Sequence, residues 1–224
     1  FMERNGIHII DLKKTAAKLD ESRKALASIA ASGKKILFVA TKKQAKEILE
    51  EQMKGLNMPY ITERWPGGML TNFVTIRKAI KKMQTIDKMI ADGTFDSLSK
   101  RERLQVTRQR AKLEKQLGSI ADMNRLPGAI FIVDVMREHI AVKEAQKLNI
   151  PTFALVDTNS NPNDVDSAIP GNDDASKAIK VILEYVTDAV KEGLTARKAE
   201  KDDASDEKEK KESKAKKEEA SAAE

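Results

Sequence analysis

Two stretches of this chain each alternate an aliphatic strand, an amphipathic helix and a second strand, and this repetition constrains the fold more than any other feature. The first unit predicts strands at 36–40 and 58–61. The second predicts strands at 129–134 and 152–157 around a helix at 138–148. Continuous aliphatic strands that alternate with helices are typical of a parallel sheet covered on both faces, so the predicted class is α/β.

Two further helices are predicted to flank this domain. A closing helix is predicted at 174–190, after the last strand of the second unit. The helix before the first strand is predicted to bury one stripe, formed by Leu12, Ala16, Leu19, Leu26 and Ile29.

An insertion separates the two units. Its first half places apolar residues at steps of three and four, and after a break at 92–95 its second half begins with Ser99 and Glu102 at the spacing of a capping box. The apolar seam consists of Ile76, Ile80, Met83, Ile86 and Ile90, followed by Leu113, Leu117 and Ile120. The pattern predicts a helical hairpin inserted into the α/β domain.

The chain therefore divides into four parts. These are the first half of the α/β domain at 1–73, the hairpin at 74–125, the second half of the domain at 126–190 and a charged tail at 191–224. The tail consists almost entirely of Lys, Glu, Asp, Ala and Ser. Without apolar residues it cannot offset the entropy of ordering, so we predict disorder, or at most a solvated helix.

The excess positive charge lies in the hairpin. The chain has a net charge of +6, yet residues 77–125 contain 13 basic and 6 acidic residues, the tail contains 10 and 11, and the remainder is balanced. A helical pair needs charge for solubility but not this imbalance of sign. The asymmetry is typical of a polyanion partner, and we expect the hairpin to contact nucleic acid.

The composition excludes several classes of protein. The chain has no cysteine and two histidines, which excludes disulfides, cysteine nucleophiles and metal centres built on thiolates or on several histidines. No apolar run approaches the roughly 20 residues that cross a bilayer, so we expect no membrane partner. The first residues show no signal-peptide pattern, and we expect residues upstream of Phe1 to be missing.

The segment RWPGGMLTN, residues 64–72, contains Arg64, Trp65, Gly67, Gly68 and Asn72. Paired glycines beside an arginine permit the backbone to approach a phosphate closely. The same residues would also form a plain reversal of the chain. The residues alone leave these two interpretations open.

Lys42 and Lys43 follow the first strand and precede a helix, where α/β proteins bind phosphates. Neither glycine fingerprint of nucleotide-binding loops is present, so the two lysines are either solvated or in contact with a polyanion. Asp134 and Asp157 each end a strand, which raises the alternative of a magnesium-dependent enzyme of flavodoxin-like type. No nucleophile or base at a diagnostic spacing supports that alternative, and turn or cap roles suit both aspartates better.

Several motifs resemble one family in the same order along the chain: ERNGIHIIDL, LFVATKKQA, RWPGGMLTNF, DGTF, LPGAIFIVDVMREHIAVKEAQKLNIP and VDTNSNP with IPGNDDA. Together they resemble the small-subunit ribosomal protein S2 family of bacteria and organelles, over roughly residues 1–190. The Gly-His-rich N-terminal signature of the family is absent, Pro66 replaces a usual aliphatic residue, and Met2 replaces a common glycine. The charged tail is not part of the shared pattern.

The resemblance implies a flavodoxin-like parallel sheet with an inserted helical hairpin, and a structural protein with no catalytic activity. It implies a cytoplasmic location on the small ribosomal subunit, near the junction of head and body, with no cofactor, no metal and no homo-oligomer. The implied partners are small-subunit ribosomal RNA and neighbouring small-subunit proteins, including ribosomal protein S1.

We therefore predict that the segment 64–72 joins the sheet to the hairpin through a turn at Gly67 and Gly68, leaving its backbone N–H groups and Arg64 facing RNA phosphates. Trp65 is either a packing anchor or a base-stacking platform. The predicted RNA-binding residues are Lys42, Lys43, Arg64, Trp65, Asn72, Arg77, Lys78, Lys81, Lys82, Arg101, Arg103, Arg108 and Arg110.

Overall fold

The structure is a computed structural model that describes the backbone of residues 2–221 and the side chains of residues 3–199. It begins with an antiparallel hairpin of strands β1 (Met2–Arg4) and β2 (Ile7–Ile9). The turn consists of Asn5 and Gly6, both with positive φ (53° and 73°), as a two-residue hairpin turn requires. This hairpin was not predicted from the sequence.

The main sheet has five parallel strands in the order β4-β3-β5-β6-β7. Its register is fixed by pairs such as Phe38 with Phe131 and Ile130 with Thr152. Three of the strands are buried along their whole length, as the aliphatic runs predict. The strands are β3 (Ile36–Val39), β4 (Tyr60–Ile61), β5 (Ala129–Val133), β6 (Thr152–Val156) and β7 (Ser167–Pro170). The predicted α/β class is confirmed.

Helices cover both faces of this sheet. One face packs against α1, α2 and α6 through a core that includes Leu26, Phe38, Leu49 and Leu183. The other face packs against α3, the end of α4, and α5 through a core that includes Val39. The helices are α1 (Leu12–Ala31), α2 (Lys43–Met53), α3 (Phe73–Ala91), α4 (Lys100–Leu117), α5 (His139–Lys147) and α6 (Ser176–Ser221).

Helices α3 and α4 form the inserted hairpin, joined through a 3₁₀ turn at Thr94–Ser97. Ile76, Ile80, Met83 and Ile86 are buried as predicted, whereas Ile90 is 45% exposed because it lies in the last turn of α3 beside the break at Gly93. The capping box of α4 is also present: the Glu102 N–H donates to Ser99 Oγ, and the Ser99 N–H donates to the Glu102 carboxylate at 3.0 Å.

Two local predictions need correction. Leu12, 76% exposed, and Ala16, also exposed, lie outside the buried stripe of α1, which is rotated onto Ser22, Leu26 and Ala30. Strand β7 was missed because its residues read as part of a polar turn. The backbone of the predicted tail continues α6 as far as Ser221, and residues 222–224 lie outside the described part. Among the described helices, none combines the length and hydropathy needed to cross a bilayer.

Candidate nucleic-acid interface

The segment 64–72 folds around a buried carboxylate, that of Glu144 on α5. Backbone N–H groups of Gly68, Leu70 and Thr71 donate to Glu144 at 2.8, 2.9 and 3.1 Å. The indole Nε1–H of Trp65 donates to the same carboxylate at 3.2 Å. The prediction that these N–H groups face RNA phosphates is therefore wrong, because the protein supplies the anion itself.

The charge of Glu144 depends on these bonds. Burial alone would raise the pKa of Glu144, but the hydrogen bonds from Leu70, Thr71, Trp65 and Gly68 outweigh burial and lower the pKa. Glu144 lies among the buried residues Ala141, Val142 and Ala145 of α5. A single charged residue on an apolar helix face was the signal in the sequence that could have identified it.

Trp65 belongs to the core beneath the hairpin and is 6% exposed. It is the packing anchor of the two alternatives, and its assignment to RNA contact is corrected because the side chain is almost entirely buried. Gly68 has φ +80° and makes the turn, whereas Gly67 has no positive φ and open space around its Cα. Asn72 precedes α3, and its side-chain oxygen accepts a bond from the Thr75 hydroxyl at 2.8 Å.

Lys42 lies in a cluster of carboxylates at the C-terminal edge of the sheet, and its side chain is 12% exposed. Its ammonium lies 2.5 Å from Asp173, 2.6 Å from Asp174 and 3.5 Å from Asp134. Burial lowers the pKa of Lys42, but the hydrogen bonds to Asp173 and Asp174 raise it further than burial lowers it. The assignment of Lys42 to phosphate contact is therefore corrected. Lys43, by contrast, is exposed.

Asp134 and Asp157 have the turn and cap roles that the sequence favours. Asp134 has φ +71° and accepts the Arg137 N–H at 3.0 Å. Asp157 accepts the N–H groups of Thr158 at 2.6 Å and Asp173 at 3.2 Å. Carboxylate oxygens of Asp157, Asp173 and Asp174 lie within 4.8 Å of one another and would suit a divalent cation, but the Lys42 ammonium already forms ion pairs with two of these groups.

The predicted arginines of α4 separate into two faces. Arg110 is paired with Asp87 and Glu114, and Arg103 with Asp96 at 3.7 Å and the Leu98 carbonyl at 2.9 Å. Arg101 and Arg108 are exposed and have no carboxylate partner among the described side chains. Because each pair is spaced by seven residues, each lies along one side of α4.

The remaining predicted cations are also exposed and form no ion pair within the described side chains. Four lie on α3, one begins α2 and one precedes Trp65. They are Arg77, Lys78, Lys81, Lys82, Lys43 and Arg64. Together with Arg101 and Arg108 they leave the hairpin and the adjoining sheet edge with positive charge that the described side chains do not neutralise.

These features define a class: a flavodoxin-like α/β protein with an inserted basic hairpin, whose strand-end carboxylates are used in turns, caps and ion pairs. Residues 1–193 match the family model described as ribosomal protein S2. The chain belongs to the ribosomal protein S2 family. It is a structural constituent of the small ribosomal subunit, part of the translation machinery in the bacterial cytoplasm, and not an enzyme. The alternative of a magnesium-dependent enzyme using Asp134 and Asp157 is therefore wrong.

The similarity to known proteins extends over most of the chain. The small ribosomal subunit protein uS2 of Flavobacterium johnsoniae is 72% identical over 202 residues, which cover 90% of this chain and 80% of that protein. The uS2 of Christiangramia forsetii is 71% identical over 200 residues, covering 89% and 67%. The uS2 of Bacteroides fragilis is 63% identical over 222 residues, covering 99% and 80%, so that similarity includes the charged tail.

Proposed function

We propose that the chain binds small-subunit ribosomal RNA through the outer face of its hairpin, near the junction of head and body, and so supports translation. The observation that carries this proposal is the separation of the arginines on α4. Arg103 and Arg110 are neutralised by neighbouring carboxylates, whereas Arg101 and Arg108 are exposed and unpaired among the described side chains. Exposed cations in a row on a rigid helix suit the phosphates of a polynucleotide.

Neighbouring ribosomal proteins, including ribosomal protein S1, are the second class of partner in this proposal. Support comes from large apolar side chains that the sheet domain leaves exposed. Met136 and Ile140, near the start of α5, are 63% and 45% exposed, and Ile7 and Leu12 at the N-terminal end are 68% and 76% exposed. Such residues suit contacts with protein better than contacts with phosphate.

The RNA contact is tested with two matched double variants, Arg101→Gln/Arg108→Gln and Arg103→Gln/Arg110→Gln. Binding of each full chain to small-subunit ribosomal RNA is measured as a function of salt concentration. Each lost phosphate contact reduces the slope of log K against log salt by about 0.7 to 0.9, so the first variant should lose about 1.4 to 1.8. The second should keep the slope, because its arginines already have carboxylate partners. An unchanged slope in the first variant would contradict the proposal.

Association with the subunit is tested by sedimenting a cell lysate at moderate and high salt and following the chain by mass spectrometry. We expect comigration with the small subunit at one copy per particle, lost only at high salt. Migration as a free protein at every salt concentration would contradict the assignment of these partners.

A further inference from the structure

The order of the strands reverses between β3 and β5. After β3 the chain enters α2 on one face of the sheet, and after β5 it enters α5 on the opposite face. The two connections therefore diverge and leave a crevice at the C-terminal edge, the position where open α/β sheets bind ligands. Here the crevice has a volume of about 420 Å³, and its lining includes Thr41, Arg64, Arg137 and Ile140.

The acidic groups of this crevice already have partners. Glu63 is paired with Lys46 at 3.3 Å and Lys115 at 3.8 Å. Glu138 is buried and accepts bonds from the N–H and hydroxyl of Thr41. The guanidinium groups of Arg64 and Arg137 form no ion pair with the described side chains, although the charge of Arg137 attracts the nearby Glu138 carboxylate.

Arg137 is held in place by the wall of the crevice. Its Nε–H donates to Thr41 Oγ1 at 2.8 Å, and Thr41 is itself bonded to the buried Glu138. Its two Nη groups make no hydrogen bond within the described part of the chain, which leaves the arrangement of donors that binds an oxyanion.

We propose that Arg64 and Arg137 bind a backbone phosphate of RNA in this crevice. The inference rests on the proposed function and names a second contact, apart from the hairpin. A terminal phosphate of a free nucleotide fits less well, because such groups are cradled by backbone N–H donors. Here the N–H groups of Thr41, Gly68 and Leu70 already donate to Glu138 and Glu144. The crevice therefore supplies side-chain charge, which suits an RNA strand passing over it.

The test uses the full chain with Arg64→Gln, Arg137→Gln and the double variant, and Arg23→Gln as the control. Arg23 lies on α1, outside the hairpin and the crevice, and its guanidinium is paired with Glu192. Binding to small-subunit ribosomal RNA is measured against salt, and we expect each single variant to reduce the slope by about 0.7 to 0.9 and the control to leave it unchanged. Thermal unfolding is measured for every variant, and the slopes of those that keep the transition of the unmodified chain are compared.

A second measurement does not depend on substitution. Phenylglyoxal modification of Arg64 and Arg137 is followed by mass spectrometry in the free chain, with ribosomal RNA, and with AMP. We expect RNA to protect both arginines and AMP at the same phosphate concentration to protect neither. Protection by AMP alone, or no protection by RNA, would overturn this inference. If the crevice variants keep their slope while Arg101→Gln/Arg108→Gln loses it, the crevice contact is wrong and the hairpin contact stands; if all keep it, the proposed function fails as well.

Discussion

Glu144 receives five hydrogen bonds from the segment 65–71. A loop whose backbone N–H groups converge on one point is built to hold an anion, and here that anion is a side chain of the same molecule. The glycines and tryptophan could be recognised from the sequence as a turn that approaches something closely. The partner could not, because Glu144 lies more than 70 residues away and reaches the loop only when the sheet has formed.

The two glycines of this loop are expected to respond differently to alanine. At Gly68, with φ +80°, a Cβ would lie 3.2 Å from the Asn72 Cβ, and the left-handed backbone adds about 1–2 kcal/mol for any residue with a side chain. At Gly67 nothing lies within 4 Å of an added Cβ, so Gly67→Ala is expected to stay within about 0.5 kcal/mol. Urea unfolding of both variants measures the difference, and equal effects would contradict the assignment of the turn to Gly68.

Replacing Glu144 with glutamine is expected to destabilise the fold by about 3 kcal/mol, because an amide NH₂ would face N–H donors that lose their acceptor. The unmodified chain should also be acid-sensitive at this site. The folded pKa of Glu144 lies below the unfolded value of about 4.3, so its stabilisation is complete above that pH and is lost as the pH falls through the folded pKa. Unfolding free energies from pH 7 to pH 3 should fall less steeply for Glu144→Gln. If the unfolding free energy falls equally with pH in the unmodified chain and in Glu144→Gln, Glu144 contributes nothing to acid sensitivity.

At the scale of elements, continuous aliphatic runs identified β3, β5 and β6 because such runs suit strands buried on both faces. Strand β7 was not predicted, because Ser167, Ala168 and Pro170 are only partly buried and their sequence resembles a turn. The strand lies at the edge of the sheet, where a proline is tolerated. The phase of α1 was misplaced because its buried face includes Ser22, whose hydroxyl bonds to Ser167 at 2.9 Å. A stripe chosen from apolar residues alone leaves out the polar residues that are buried at a helix interface.

Gly193 lets α6 approach α1 closely, and Gly193→Ala is expected to cost about 2 kcal/mol. An added Cβ would collide with the carbonyl oxygen of Ala27 and lie 2.9 Å from the Ala30 Cβ. Gly118→Ala is the matched control, since Gly118 has helical angles and its Cβ would meet only Glu114 at 3.5 Å. That change should be neutral or stabilising by about 0.5 kcal/mol. Thermal unfolding of both variants tests the packing, and an unaffected Gly193→Ala would show that the two helices can separate at low cost.

At the scale of the whole molecule, the balance of charge along the sequence indicates that the hairpin is the surface for nucleic acid, but it does not show which cations are free. Ion pairs join residues distant in sequence, such as Arg110 with Asp87 and Lys42 with Asp173. The sum of charges is a property of composition, whereas the distribution of free charge depends on the fold. Lys42 and Arg110 thus stabilise the protein, while Arg101 and Arg108 remain exposed for a partner.

We expect the hairpin to consist of two parts: a base that belongs to the core of the sheet domain, and a tip that contributes only to RNA binding. Ile76, Ile80 and Leu117 pack with the sheet domain, whereas Met83 and Ile86 are buried but lie outside both cores of the sheet. Replacing residues 82–112 with a linker of about six Gly and Ser residues bridges antiparallel helices about 8–10 Å apart.

The shortened chain is expected to keep a cooperative thermal transition and the far-ultraviolet signature of the sheet domain, because its cores are intact. Binding to small-subunit ribosomal RNA should become weaker and less dependent on salt, since Lys82, Arg101 and Arg108 are removed together. If the shortened chain keeps the salt dependence of RNA binding of the unmodified chain, the tip makes no phosphate contact. Loss of the thermal transition would instead show that the tip is part of the folding unit, because base and tip would then depend on one another for stability.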